Sequence, residues 1–328
     1  MADGALARLR GTLAALCVIG WLAGSAAHAA DADTWLPYRD ANPFVAASGL
    51  PFAPPVVPAG SWHVEAIVSA SNTELATRAG AESLFYDAEM HEVRLMLTHA
   101  FAEHWLARAT LGSVSVGEGF LDGFIEDWHH AFGLSNGDRG RLHGNGHEIR
   151  YDDGHAQVTL ARSLRATTPL LLDVAWYQPL REGRWLLGAT VKLPTSHASV
   201  LVDDRAVDAS LWLAAHGSAA QTRLPWGLRL GWMQRGDAEL LPQRARGHLP
   251  FLDARLGWKL TPAWDVTAQL QWHGALYDSH IDYLRQASTL TLSSGWRWRN
   301  GWTLRGGVVE DVPALHAQDV TLFLTLAR

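Results

Sequence analysis

Trp264-Asp265-Val266-Thr267-Ala268-Gln269-Leu270-Gln271-Trp272-His273 alternates, apolar on every even position and polar on every odd one. A strand turns successive side chains to opposite faces, so this segment has one apolar face and one polar face. The same period holds elsewhere. Trp226, Leu228, Leu230 and Trp232 alternate with Arg229 and reach Arg235; Trp185, Leu187, Ala189, Val191 and Leu193 stand against Arg184, Thr190 and Lys192. Val320, Leu322, Leu324 and Leu326 stand against Thr321 and Thr325.

Twelve such segments run along the chain, at 62–71, 87–99, 105–116, 169–179, 184–194, 207–218, 225–236, 251–260, 264–275, 288–299, 302–311 and 319–327. Most are long enough to cross a membrane as tilted strands. Their connections differ in length by side. Residues 100–104, 180–183, 219–224, 261–263 and the Asn300-Gly301 turn are short; 72–86, 117–168, 195–206, 237–250 and 276–287 are longer. Short turns on one side and long loops on the other are the pattern of an antiparallel up-and-down transmembrane β-barrel. The expected fold is all-β, a barrel of about twelve strands with one short loop helix.

The tryptophans agree with that arrangement. There are 16 of them in 328 residues. With the short turns in the periplasm, Trp62, Trp105, Trp185, Trp226, Trp264 and Trp302 begin the six rising strands, and Trp258 and Trp298 fall near the lower ends of descending ones. Indole favours the headgroup level, where one side is apolar and its N–H meets water. A soluble β-sandwich would hold its Trp in the core and has no reason to gather them at one end of alternate strands.

The first 29 residues read as a secretory signal peptide. Arg8 and Arg10 form a positive start, Thr12 to Ala23 an apolar stretch, and Ala27-His28-Ala29 a small-x-small cleavage site. The only cysteine, Cys17, lies inside it, so the mature chain has no disulfide and no Cys-ligated metal. Losing the leader, with Arg8, Arg10 and Asp3, takes the net charge from −6 to −7, which does not suit a nucleic-acid partner. The expected location is the bacterial outer membrane after cleavage, with membrane lipid as the surrounding partner.

Two segments leave the meander. Residues 30–61 are irregular and Pro-rich and are expected to form either a plug in the barrel or a periplasmic tail. The barrel itself is assigned to 62–328, with 117–168 as a long extracellular loop. Within that loop Leu121, Phe124, Ile125, Trp128 and Phe132 keep helical spacing, with Asp122, Glu126, Asp127 and His129 mostly on the other side. This predicts a helix whose apolar face folds over the barrel mouth. A hairpin, 147–152 and 156–162, is expected to turn at Asp153-Gly154. If it enters the wall, the strand count becomes fourteen.

Several motifs sit on this framework. They are Asn42-Pro43-Phe44 with Gly49-Leu50-Pro51, Gly119-Phe120-Leu121-Asp122, Phe124-Ile125-Glu126-Asp127-Trp128-His129, Phe132-Gly133-Leu134, Lys192-Leu193-Pro194-Thr195 and Glu310-Asp311. Together, and in this order, they resemble the bacterial family catalogued as domain of unknown function 3187, over nearly the whole mature chain. The resemblance implies an outer-membrane-like barrel and no established activity.

The inward parity supplies the candidate lumen or solute residues: Glu92, Arg94, Arg108, Arg229, Arg255, Gln269, Gln271, His273, Arg297 and Arg305. Buried charges need partners or water, so this set either lines a wet path or closes it as a salt-bridge network. The loop helix supplies Asp122, Glu126, Trp128 and His129. Its acids and the later His143 and His147 have metal-ligand chemistry, but Gly144-Asn145-Gly146 between those histidines is a poor scaffold. No metal and no cofactor is therefore expected. Neither a nucleophile elbow, a phosphate-binding Gly loop nor a zinc-protease motif occurs. The leading expectation is a channel, or a protein that takes up or binds a small or hydrophobic solute, without enzymatic activity. The alternatives are a lipid-modifying enzyme with a Ser–His or Asp–His pair at the membrane rim, and a closed structural or surface-recognition barrel.

Overall fold

The computed structural model describes residues 35–328, except 54, 56, 118, 120, 122, 124–126, 128, 129, 132, 134–146, 181, 182, 219–222 and 313–315. The leader and its cleavage site lie outside the described residues.

Fifteen strands form one antiparallel sheet: β1 (Trp62–Ala79), β2 (Glu82–Ala102), β3 (Trp105–Gly117), β4 (Glu148–Asp152), β5 (Gln157–Leu160), β6 (Leu164–Thr167), β7 (Leu170–Leu180), β8 (Gly183–Leu193), β9 (Asp208–Ser218), β10 (Pro225–Gln234), β11 (His248–Lys259), β12 (Trp264–His273), β13 (Ala287–Arg297), β14 (Thr303–Asp311) and β15 (Val320–Ala327). Twelve of them close a barrel. β15 pairs back onto β1 from Glu65↔Ala327 to Asn72↔Val320, so the wall has no free edge. β3 passes directly to β7 through Arg108↔Asp173. Two strands keep the count at twelve rather than fourteen: the β4–β5 hairpin pairs only with the upper part of β2, from Ser83↔Asp152 to Asp87↔Glu148, and stands outside the closed wall. Its turn falls at Asp153-Gly154, where the Asp153 carboxylate accepts the N–H groups of His155 and Ala156.

Ten of the twelve predicted strands match within three residues. The exception is 72–86, read as a loop. β1 and β2 instead continue together to a tight turn at Gly80, which has φ +63°. The reason lies in the faces. Below Asn72 the apolar residues of β1, apart from the inward Ile67, point outward and the polar ones inward; above it Leu75, with Leu84 and Tyr86 across the pair, is buried on the inward side. The extension has left the membrane, so its outer face meets water and its inner face covers the barrel mouth. The alternation reverses its sense there, and a reading with one fixed polarity stops at the reversal.

The outward face carries the expected aromatic residues. Trp62, Trp105, Trp226, Trp258, Trp264 and Trp298 are all exposed at the short-turn end. Trp212 is different: it points into the barrel, is 2% exposed, and donates from Nε1 to Thr190 Oγ1 at 3.1 Å. Gly188 makes room for it, since a Cβ there would stand 2.2 Å from the indole. Gly188→Val is expected to push the ring out of its rotamer at a cost of about 1–3 kcal/mol. A urea titration in lipid vesicles, followed by Trp fluorescence, checks this; an unchanged midpoint contradicts it.

The largest apolar cluster runs through the barrel interior, from Leu106 and Tyr177 near the short turns to Phe44, Tyr151 and Tyr277 at the long-loop end. Phe44 packs edge-on to Tyr151 and Tyr277 at centroid distances of 6.5 and 6.3 Å, and Tyr86 packs edge-on to Tyr283 at 5.8 Å. The loop helix is described only in part: Gly123, Asp127, His130 and Ala131 are helical. The other residues of its expected apolar face, Phe124, Ile125, Trp128 and Phe132, lie outside the described residues; Leu121, just before the helix, is described. Leu121 is buried against Val320, with Ala70, Val308 and Leu322 around it, all on the outward parity. Its N–H donates to Glu89 Oε2 at 2.8 Å. The polar face of the barrel top holds the backbone while the leucine covers the outer wall. Asp122, Glu126, Trp128 and His129, the loop-helix candidates, lie outside the described residues, as does His143.

Candidate functional site: the occupied lumen

All ten lumen candidates sit on inward-facing register positions. Six of them, Arg94, Arg108, Arg229, Gln269, Gln271 and His273, meet the protein's own N-terminal segment. Residues 35–42 run extended beside β12. Leu36 N–H donates to Gln269 Oε1 at 3.0 Å, and Gln269 Nε2 donates to Leu36 O at 3.3 Å. Gln271 Nε2 donates to Tyr38 O at 2.7 Å. His273 Nε2 meets Asp40 Oδ2 at 3.1 Å, while its Nδ1 meets Gly274 O at 2.8 Å. Positions 36, 38 and 40 thus match 269, 271 and 273. Both chains advance by two, because both are extended and only alternate residues face one another.

The segment then folds on itself. Asn42 caps a single helical turn, α1 (Pro43–Ala46), by accepting the Phe44 N–H at 3.0 Å, and Pro43 begins the turn without needing an N–H partner. Arg39 ties the turn together. Its guanidinium donates to the carbonyls of Ala46, Ser48 and Leu50 at 2.8, 3.1 and 2.6 Å. A cation buried in the lumen is satisfied by the segment's own backbone.

Past the turn the wall takes hold again. Gly49 N–H donates to Asp208 Oδ2 at 2.8 Å. Arg229 Nη2 donates to Pro51 O at 2.9 Å. Arg108 reaches Phe52 O with Nη2 at 2.5 Å and Ala53 O with Nη1 at 3.0 Å. The Phe52 ring lies with Met96 and Leu171, and the guanidinium carbons of Arg94, Arg39 and Arg108 stand 4.4, 5.0 and 6.0 Å from its centroid. Two gaps beside the segment measure about 10 and 30 Å³ for the centre of a water-sized sphere. That is room for roughly one or two waters.

The charges of the wall are paired mostly with one another. Arg108 Nε bonds Asp173 at 2.9 Å, Arg229 Nε bonds Asp253 at 2.5 Å, and Arg305 Nη2 bonds Asp265 at 2.6 Å. Arg94 pairs with Glu92 on the same strand. Arg255 is buried on the lumen side of β11, and Arg297 is half-buried near the short-turn end of β13. A second network was not foreseen. Lys192 bonds Asp204, Asp203 lies 3.5 Å from its Nζ, and Arg235 Nη2 donates to Asp204 Oδ2 at 2.8 Å. Asp203 also accepts the N–H groups of Thr195 and Ser196 at 2.6 and 3.0 Å. This gives the Lys192-Leu193-Pro194-Thr195 motif its structural sense: the strand ends where its lysine and the following backbone both need the loop aspartates. The motif was visible in the sequence, but the loop partners have no period to reveal them.

Outside the membrane, one cluster ties the mouth closed. Arg244 bonds Asp153 Oδ2 at 2.6 Å and Glu82 Oε1 at 3.1 Å. The Asp153 carboxyl is held far below the usual carboxylate range, first by the N–H of Ala156 and also by Arg244. A depressed carboxyl contributes stability above its unfolded value, near pH 4, and loses it as pH falls through its folded value. Acidification below about pH 4 is therefore expected to loosen the β4–β5 hairpin. Amide exchange of residues 148–160 at pH 7 and pH 3 checks this; equal protection at both contradicts it.

Two serine–histidine neighbourhoods occur at the long-loop end. Ser163 Oγ lies 3.4 Å from His147 Nε2. Ser279 and His280 both bond the Glu82 carboxylate rather than each other. No group of three or more His, Cys, Asp or Glu placed to hold a metal ion occurs among the described residues.

A closed twelve-strand antiparallel wall with an apolar outside and a polar, filled inside is an outer-membrane β-barrel. The chain belongs to the family described as protein of unknown function DUF3187, which it matches over residues 14–328. No curated protein matches it. Among solved structures it is similar to an outer membrane channel from Pseudomonas putida F1, at 11% identity and a TM-score of 0.58, covering 83% of this chain and 96% of that one. Weaker likenesses include the NanC porin (9% identity, TM-score 0.44, 81% and 98% covered) and the toluene transporter TodX of P. putida (8%, 0.40, 81% and 89%). At these identities the likeness concerns the fold.

Proposed function

We propose that this barrel is an outer-membrane channel for small solutes, closed at rest by residues 35–53 acting as a plug. The observation that carries the reading is how the polar groups divide. The wall's ion pairs run largely from wall to wall, as in Arg108–Asp173, Arg229–Asp253 and Arg305–Asp265. The plug's polar contacts with the wall are mainly single hydrogen bonds from spare wall donors to its backbone, and its own Arg39 is spent on its own carbonyls. Removing it would leave most wall charges paired, and water can replace single hydrogen bonds at small net cost. A packed structural filling would instead be expected to share its ion pairs with the wall. Among the described residues, Asp40 and His273 are the one acid–base side-chain pair between them, an ion pair only when the imidazole is protonated.

Single-channel recording in planar bilayers tests this. The full-length protein is expected to stay mostly closed, and a form lacking residues 35–53 to show discrete, long-lived openings. Silence from a correctly folded deletion form, together with no solute flux into vesicles, would overturn it.

A further inference from the structure

Most of the place where Phe52 sits is built from the wall; Arg39, 5.0 Å from the ring, is the plug's own share of it. Met96 and Leu171 supply an apolar lining, Arg94 covers one ring position at 4.4 Å, and Arg108 stands at the edge. All four wall residues are buried. Arg108 divides its donors. Nε is committed to Asp173 on the neighbouring strand, while Nη1 and Nη2 both point at plug carbonyls. When the plug leaves, those two terminal nitrogens form an open fork. Such a fork matches the two oxygens of a carboxylate, a planar and charge-assisted fit. Beside it, Arg229 is 2% exposed, gives Nη2 to Pro51 O, and its Nη1 has no protein partner. The site thus combines a slot for a flat ring, a cation over that slot, and donors in excess of wall acceptors. A ring under a desolvated guanidinium gains more than an aliphatic group of equal size.

Resting on the channel reading above, we infer that this slot is a subsite for aromatic carboxylates. In the closed state Phe52 supplies the ring, and the Phe52 and Ala53 carbonyls supply the oxygens. The plug imitates the solute it keeps out. A neutral aromatic would fill the ring slot and leave the fork of Arg108 unmet; a small aliphatic carboxylate would meet the fork and leave the slot empty.

The test uses the full-length protein with Phe52→Ala, which vacates the ring slot. It also removes the ring that seats the 52–53 backbone, so that a carboxylate, the stronger acceptor, can displace the two carbonyls from Arg108. The variant is titrated calorimetrically in detergent with benzoate, benzyl alcohol and acetate. Benzoate is expected to bind at least about tenfold more tightly than either of the others, a difference of about 1.4 kcal/mol or more. Wild type is expected to bind benzoate at least about tenfold more weakly than Phe52→Ala, because Phe52 is in place. Adding Arg108→Gln is expected to cost benzoate about tenfold and to leave benzyl alcohol unchanged. Equal affinities for the three ligands, or equal benzoate binding by wild type, would overturn the subsite. If Phe52→Ala does not fold, Gly49→Leu, which crowds the plug away from Asp208 and Lys192, is titrated with the same expectations. Conductance of the same variants separates the two readings. Openings without discrimination among ligands remove the subsite and keep the channel; discrimination without openings removes the channel and keeps the subsite.

Discussion

Asp204→Ala is expected to destabilise the barrel by about 3–5 kcal/mol, the range for breaking a buried ion pair from one side. Asp204 takes one hydrogen bond from Lys192 and another from Arg235, and the side chains of all three are essentially without solvent contact. Removing the carboxylate leaves two buried cations. Asp203, at 3.5 Å from the lysine, already serves three backbone N–H groups, and Arg235 keeps the Leu276 carbonyl at 3.0 Å. Neither replaces the lost charge. Asp204→Asn keeps the shape and one acceptor and is expected to lose less. The midpoint of urea unfolding in vesicles measures both; an Ala variant as stable as wild type would mean that the network is solvated.

Gly49→Leu is expected to open the channel while leaving the wall intact. A Cβ at this position would stand 2.7 Å from the Asp208 Cβ and 2.9 Å from the Lys192 Cβ, both in the wall. Those atoms are backbone-near and cannot swing aside, so the plug must move. Overpacking of this kind costs about 1–3 kcal/mol. The cost falls on the seated state alone, so the ratio of unseated to seated plug rises by about tenfold to a hundredfold. More frequent openings in bilayer recordings, with an unchanged unfolding midpoint, would bear this out. Unchanged opening frequency in a folded variant would count against a plug that moves.

Much of the wall can be read from the chain alone, because a membrane barrel repeats one physical rule. Trp264 to His273 obeys it without exception, and its bounds are those of β12. The rule fails where the solvent changes. At Asn72 the outer medium passes from lipid to water, and the apolar face of β1 and β2 changes side. The lumen candidates were found by parity, since Gln269, Gln271 and His273 must face inward if Leu270 and Trp272 face lipid. Parity says nothing about what they touch. Their partners, Leu36, Tyr38 and Asp40, lie in a segment whose only regular feature is a step of two over a few residues, ending at Asn42-Pro43. Arg39 was equally hidden, because its acceptors are backbone carbonyls, and every residue has one.

The central claim is that residues 35–53 close the lumen and can leave it. The most direct measurement removes them after folding is complete. Pro58, Ala59 and Gly60 are exposed just before β1. A protease site placed there allows the plug to be cut from a barrel already inserted in a bilayer. The account predicts little current before cutting and stable openings once the cut segment has been washed out. Current that is the same before cutting and after the segment is lost, whether high or absent, would contradict it.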